Sequence, residues 1–136
     1  MAEDRLSLYA ETDKIKDESI YNIEHYEYLN DAMLDLYKNL EKRILNIDSS
    51  ARVEFKKLYI AFKAQTNFVD IVPQKKRLIL SLNIDFDKII DPKNYCRDVS
   101  GIGRWGNGNT EIGVEKFEDL DYVMELIEQA FLEQVG

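Results

Sequence analysis

The stretch "DVSGIGRWGNGN", residues 98–109, decides the fold, because its glycines admit two incompatible architectures. Gly101, Gly103 and Gly106 stand in the G-x-G-x-x-G spacing of a dinucleotide-binding turn. That turn needs a strand before it, a helix N-terminus directly after it to receive a pyrophosphate, and a parallel βαβ unit of about 30 residues. No helical pattern follows Gly106. Asn107 and Gly108 come next, both tolerant of the positive φ of a type I′ turn, and then "TEIGV", residues 110–114, alternates like a strand. The glycines therefore read as a hairpin, with Gly101 and Gly103 at a bulge or a close backbone approach. No cofactor is expected.

The residues before this hairpin carry a period of two. Leu58, Ile60 and Phe62 alternate with Tyr59, Ala61 and Lys63, and β-branched and aromatic residues are dense in "NFVDIV" (67–72) and "RLILSL" (77–82). Three strands follow from this, with "AQTN" as a hairpin link. "PQKK" closes the second strand on a proline that cannot continue a central ladder, so the three are expected to be antiparallel neighbours. In the third, Leu78, Leu80 and Leu82 share one face and Arg77, Ile79 and Ser81 the other. "DFDKII" reads as a helical turn stopped at Asp91-Pro92.

Helices flank the strands. Leu29, Met33, Leu36, Leu40, Ile44 and Ile47 recur at three and four residues, with Asn30 or Asp31 as N-cap. Leu120, Val123, Met124, Ile127, Phe131 and Val135 form a second stripe opposite Glu118, Asp121, Glu125 and Glu128. The Tyr-rich segment before the first helix reads as a short helix or ordered arm. The expected fold is α+β, an antiparallel sheet of four to five strands packed against N- and C-terminal helices, in the order helix, three strands, short helix, Gly-rich hairpin, long helix.

With 136 residues, two prolines and six glycines, the chain reads as a single domain, an arm over 1–28 and an α+β core over 29–136. Cys96 is the only cysteine, the N-terminus has neither a basic start nor an apolar core, and nowhere do eighteen apolar residues run together. A cytoplasmic, disulfide-free protein outside the membrane is expected.

The net charge of −8 is unevenly spread: −6 over residues 1–50, +5 over 51–104 and −7 over 105–136. A basic middle between acidic ends is either a lysine-rich sheet beside solvated helices or a surface that meets phosphate or an acidic partner.

Catalytic constellations are weak. Glu54 and Lys56 make an E-x-K of the nuclease type, but that motif needs an Asp on a preceding strand of the same sheet. His25, the only histidine, has no cysteine nearby and reads as a surface or capping residue. Asp70, Asp91 and Asp98 stand singly, without metal-ligand spacing, and read as structural.

From Tyr59 through Val114, the run containing "NFVDIVPQ" and "CRDVSGIGRWGNG", followed by "DLDYVMELIEQAF", resembles an uncharacterised domain of proteins catalogued as "predicted transport protein". Similar domains sit at the C-terminal end of larger bacterial proteins that carry restriction-type or other nuclease modules. The resemblance covers about residues 35–134 and implies an accessory domain of restriction, defence or mobile-element systems. It supplies no catalytic residues, and the transport label conflicts with the absence of an apolar segment.

The expected function is a non-catalytic binding module that contacts nucleic acid or a nuclease/restriction protein. Its candidate residues are Tyr59, Lys63 and Asn67 on the first hairpin, Lys75, Lys76 and Arg77 on the next turn, and Arg97, Arg104 and Trp105 around the glycines. Guanidinium forks suit phosphate or carboxylate, and indole stacks on bases or apolar surface. The competing reading pairs Arg97 and Asp98 with internal ions and plugs the sheet with Trp105. The alternative function is a small metal-dependent nuclease or hydrolase using the same surface.

Overall fold

The computed structural model describes residues 21–101 and 108–135. Its centre is the alternating run that the sequence marks most clearly. In β4 (Leu78–Leu82) the three leucines are buried and Ile79 and Ser81 are half-buried between them. β3 (Asn67–Pro73) and β2 (Ile60–Lys63) lie antiparallel beside it in the expected order. β3 ends at Pro73, two residues past its last pairing with β2 at Ile71, where a missing N–H is tolerated. Between Phe62 and Lys63 the register shifts, leaving Phe68 as an extra residue. That bulge turns Phe68 into the core, where its ring meets Phe131 edge-on at 5.3 Å.

Among the described residues six strands, rather than four to five, make up the sheet, in the order β1-β2-β3-β4-β6-β5. The additional edges are β1 (Arg52–Phe55) and the two-residue β5 (Arg97–Asp98). Both are short and charged, so neither shows the apolar alternation that identifies an inner strand. Recognising β1 also moves Leu58: it sits in the two-residue turn between β1 and β2, closed by the Lys56 N–H donating to the Tyr59 carbonyl at 2.9 Å, and is 56 % exposed.

β6 (Thr110–Val114) is the strand expected after the glycines, and Gly108 has the positive φ, 79°, that its position requires. Its ladder corrects the tight-hairpin reading. Asp98 pairs with Thr110, and the Val99 N–H donates to the Asn109 carbonyl, so β6 pairs with residues 97–99 and is not closed by a two-residue Asn-Gly turn. "DFDKII" is likewise a turn and not a short helix. Lys88 closes it by donating to the Asp85 carbonyl, and the Ile90 N–H goes to the Gln129 side chain instead of continuing a helical ladder.

Helix α1 (Asp31–Leu45) begins at Asn30, whose side chain donates to the Glu27 carbonyl rather than capping the helix. Helix α2 (Leu120–Val135) carries the expected stripe, with Leu120, Val123, Met124, Ile127 and Phe131 buried and Leu126 buried beside them. One hydrophobic cluster joins both helices to Ile60, Phe62, Val69, Ile71, Leu78, Leu80, Leu82, Ile112 and Val114, a single face of the sheet. Before α1, a 3-10 turn (Ile23–His25) precedes Tyr26, whose hydroxyl donates to the Lys56 and Tyr59 carbonyls and braces the β1–β2 turn. Among the described residues no helix is long and apolar enough to cross a membrane.

Candidate binding surface

Strand alternation sends one set of side chains to the helices and the other set to the opposite face. Register places Glu54, Ala61, Asp70, Ser81, Glu111 and Arg97 in one line across all six strands of that second face. Its middle is closed to water: Asp70 is 1 % exposed, and Asn67 donates to its Oδ1 at 2.8 Å.

The cations of this face are already matched to acids. Lys63 and Lys56 place their ammonium groups 3.3 and 3.2 Å from Glu54, with Arg52 at 3.9 Å. Burial alone raises the Glu54 carboxyl, and the two lysines outweigh it, holding the group below the usual carboxylate range. Arg97 pairs with Glu111 at 2.7 Å across β5 and β6. For Arg97, therefore, the internal ion pair anticipated as the competing reading is present. Asp98 accepts from the Ser100 N–H and closes a local turn.

Lys75, Lys76 and Arg77 differ. They form the exposed β3–β4 turn, closed by the Gln74 N–H donating to the Arg77 carbonyl at 2.8 Å. Arg77 lies across Gly113 of β6, its Cδ and Nη1 3.3 Å from where a β-carbon would stand. Lys75 and Lys76 have no ion-pair partner among the described residues. Tyr59 is half-buried immediately before β2. Arg104 and Trp105 lie outside the described residues.

In an antiparallel meander, alternate turns fall at the same end of the sheet. The β1–β2 turn therefore brings Lys56, Lys57 and Leu58 to the end that carries Lys75, Lys76 and Arg77. β6 also leaves the sheet there, because Val114 pairs with Leu78, and it delivers Lys116 and Phe117. Lys57, Lys116, Leu58 and Phe117 are the surface residues that the sequence reading missed. The signal that finds them is the parity of strands, which depends on recognising β1.

The remaining candidates are structural. His25 places Nε2 3.0 Å from the Lys57 carbonyl and stacks edge-on with Tyr21 and Tyr26. Asp91 accepts from the Tyr122 hydroxyl and from the N–H groups of Cys96 and Tyr95. Burial raises its carboxyl, but these donors prevail and hold it low. The buried Cys96 thiol is pushed up to about 12 by desolvation and by Asp91, so it stays protonated and unreactive. Glu54 and Asp70 are separated by β2. Among the described residues no group of three or more His, Cys, Asp or Glu side chains converges to hold a metal.

Residues 24–134 match the family described as "Domain of unknown function (DUF5655)". A protein of Haemophilus influenzae, described as an uncharacterized protein, is 37 % identical over 125 residues, which cover 92 % of this chain and 38 % of that protein. The chain thus spans less than half the length of this relative. No solved structure matches. With the matched segment running from the 3-10 turn through α2 and taking in the whole sheet, the chain belongs to the DUF5655 family.

Proposed function

We propose that this domain is a non-catalytic binding module that holds nucleic acid by its phosphates at the cationic end of the sheet. One observation carries the reading: the topology gathers Lys57, Lys75, Lys76, Arg77 and Lys116 at that end, whereas Lys63 and Arg97 on the sheet face are committed to Glu54 and Glu111. A phosphate backbone needs exposed cations on short, rigid supports, and two-residue β-turns provide them. The span of the match supports a module, since the relative carries this domain as 38 % of its length. The setting in restriction or defence systems is proposed on the family resemblance alone.

Acids temper the affinity. Glu115 and Glu118 lie on the same rim, and Glu118 meets Lys116 at 3.8 Å, an exposed contact of little energy. Together with the overall charge of −8, this calls for weak binding that depends steeply on salt.

Fluorescence anisotropy with a short labelled DNA tests the reading. Binding near 50 mM salt should weaken about tenfold or more by 200 mM, in keeping with the release of at least about two counterions. Replacing Lys75, Lys76 and Arg77 together by Ala should lower affinity by about the same factor while leaving the melting curve in place. Absence of binding at low salt, or affinity unchanged in the triple variant, refutes the proposal.

A further inference from the structure

We infer that the cationic end takes single-stranded rather than duplex nucleic acid, with Phe117 as a stacking platform. The inference rests on the proposed function and deepens it by naming the form of the ligand.

Phe117 directly follows Lys116 where β6 leaves the sheet and is 50 % exposed, with no ring partner among the described residues. Its location beside the β3–β4 turn follows from register. Val114 pairs with Leu78, and the Arg77 side chain reaches back over Gly113, so β6 leaves the sheet at the end that carries Lys75 and Lys76, and Phe117 opens the 3-10 turn (Phe117–Asp119) that leads into α2. On the far side of that turn, Leu58 projects from the β1–β2 turn beside Lys57. His25 braces this turn through the Lys57 carbonyl. Along the sheet end the order is Leu58 and Lys57, then Lys75 and Lys76, then Lys116 and Phe117.

Strand spacing of about 4.8 Å makes the distance from the β1–β2 turn to the end of β6 roughly 15 Å, the reach of a few nucleotides. A duplex would engage only the cations, since its bases are stacked on one another and present no faces. Unstacked bases have faces to offer, and an exposed ring flanked by ammonium groups takes base and phosphate together. A protein partner would use Leu58 and Phe117 as apolar anchors, but the lysines between them would then require matching carboxylates. The phosphates of a flexible strand supply that charge in the same molecule.

The test compares labelled oligodeoxythymidylate with the duplex it forms with oligodeoxyadenylate, using the full chain at low salt. The single strand should bind about tenfold more tightly. Phe117→Ala should bring it down to the duplex level, while Phe117→Tyr keeps the preference, and both variants should melt like the parent. Equal affinity for strand and duplex overturns the inference, as does unchanged single-strand binding by Phe117→Ala. In either case binding that still responds to the Lys75, Lys76 and Arg77 substitutions leaves the proposed function standing. If neither nucleic acid binds, both fail. Competition by polyglutamate as effective as by the oligonucleotide also overturns the inference and points to an acidic protein partner.

Discussion

At the end of the sheet where β2 turns into β3 and β4 departs, side chains tie the backbone together; at the opposite end, the β3–β4 turn relies on its own closure. At the tied end, the Asn83 side chain donates to the Asn67 carbonyl at 2.8 Å, and Gln134 of α2 donates to the Asn83 carbonyl at 2.5 Å. Thr110, at the start of β6, donates to the Ile84 carbonyl at 2.7 Å, and Asn109 accepts from the Phe86 N–H at 2.7 Å. Arg52 reaches the Ala64 carbonyl at 2.9 Å. At the other end Tyr26 and His25 brace the first turn, but Lys75 and Lys76 project from the second without a charged partner among the described residues. Polar side chains at one end satisfy backbone groups that the fold would otherwise leave unpaired. At the other, Lys75 and Lys76 satisfy nothing among the described residues, which leaves these two available to a ligand.

The largest effect should come from Gly108, at the tied end. A β-carbon there would lie 2.3 Å from the Leu82 carbonyl oxygen and 2.6 Å from the Asn83 Cα, and the φ of 79° already disfavours an L side chain. Backbone cannot yield as a flexible side chain can. Gly108→Ala should therefore cost at least about 2 kcal/mol in chemical denaturation. A loss below about 0.5 kcal/mol would show that this end is looser than its hydrogen bonds suggest and would weaken the contrast.

The contrast also explains what could be read from the sequence. The stripe of α2 and the alternation of β4 are legible because burial there has one period and one face. β1 is not: Arg52 and Glu54 sit on the exposed side of a four-residue edge strand, so the pattern looks like a charged loop. Missing it conceals the parity that brings Lys57 beside Lys75. The pairing of Lys63 with Glu54 and of Arg97 with Glu111 was hidden for a related reason. Partners nine and fourteen residues apart meet only through strand register, which composition does not contain. The tight Asn-Gly hairpin failed because β6 takes its partner from residues 97–98, well upstream of Asn107 and Gly108.

A smaller effect should come from the long connection between the two ends. Asp91 accepts the Tyr122 hydroxyl and the N–H groups of Tyr95 and Cys96, and these donors hold its carboxyl below the ordinary range in the folded chain. The unfolded chain therefore takes up this proton at a higher pH than the folded one. The resulting stability is present above about pH 4 and is lost as pH falls. Asp91→Asn should destabilise the protein by about 1 kcal/mol at neutral pH, and the gap to the parent should close in acid. Denaturant midpoints measured across that range check it, and a gap that persists unchanged at low pH would assign the loss to packing instead.

The smallest effect belongs to the free end, where it is the most informative. Lys75 and Lys76 are exposed at the tip of a two-residue turn whose hydrogen bond, from the Gln74 N–H to the Arg77 carbonyl, involves neither of them. Replacing both by Ala should change stability by no more than about 0.5 kcal/mol in either direction. Lys63→Ala is the matched control from the sheet face. It removes one of the cations around the half-buried Glu54 and leaves Lys56 in place, so its cost should be real but modest, about 0.5 to 1 kcal/mol. The same two variants should rank in the opposite order for DNA affinity, with the turn variant losing more. If Lys63→Ala instead weakens binding more than the double turn substitution does, the ligand lies on the sheet face. The Lys63–Glu54 pair must then open to admit it, and the cationic end loses its claim as the contact surface.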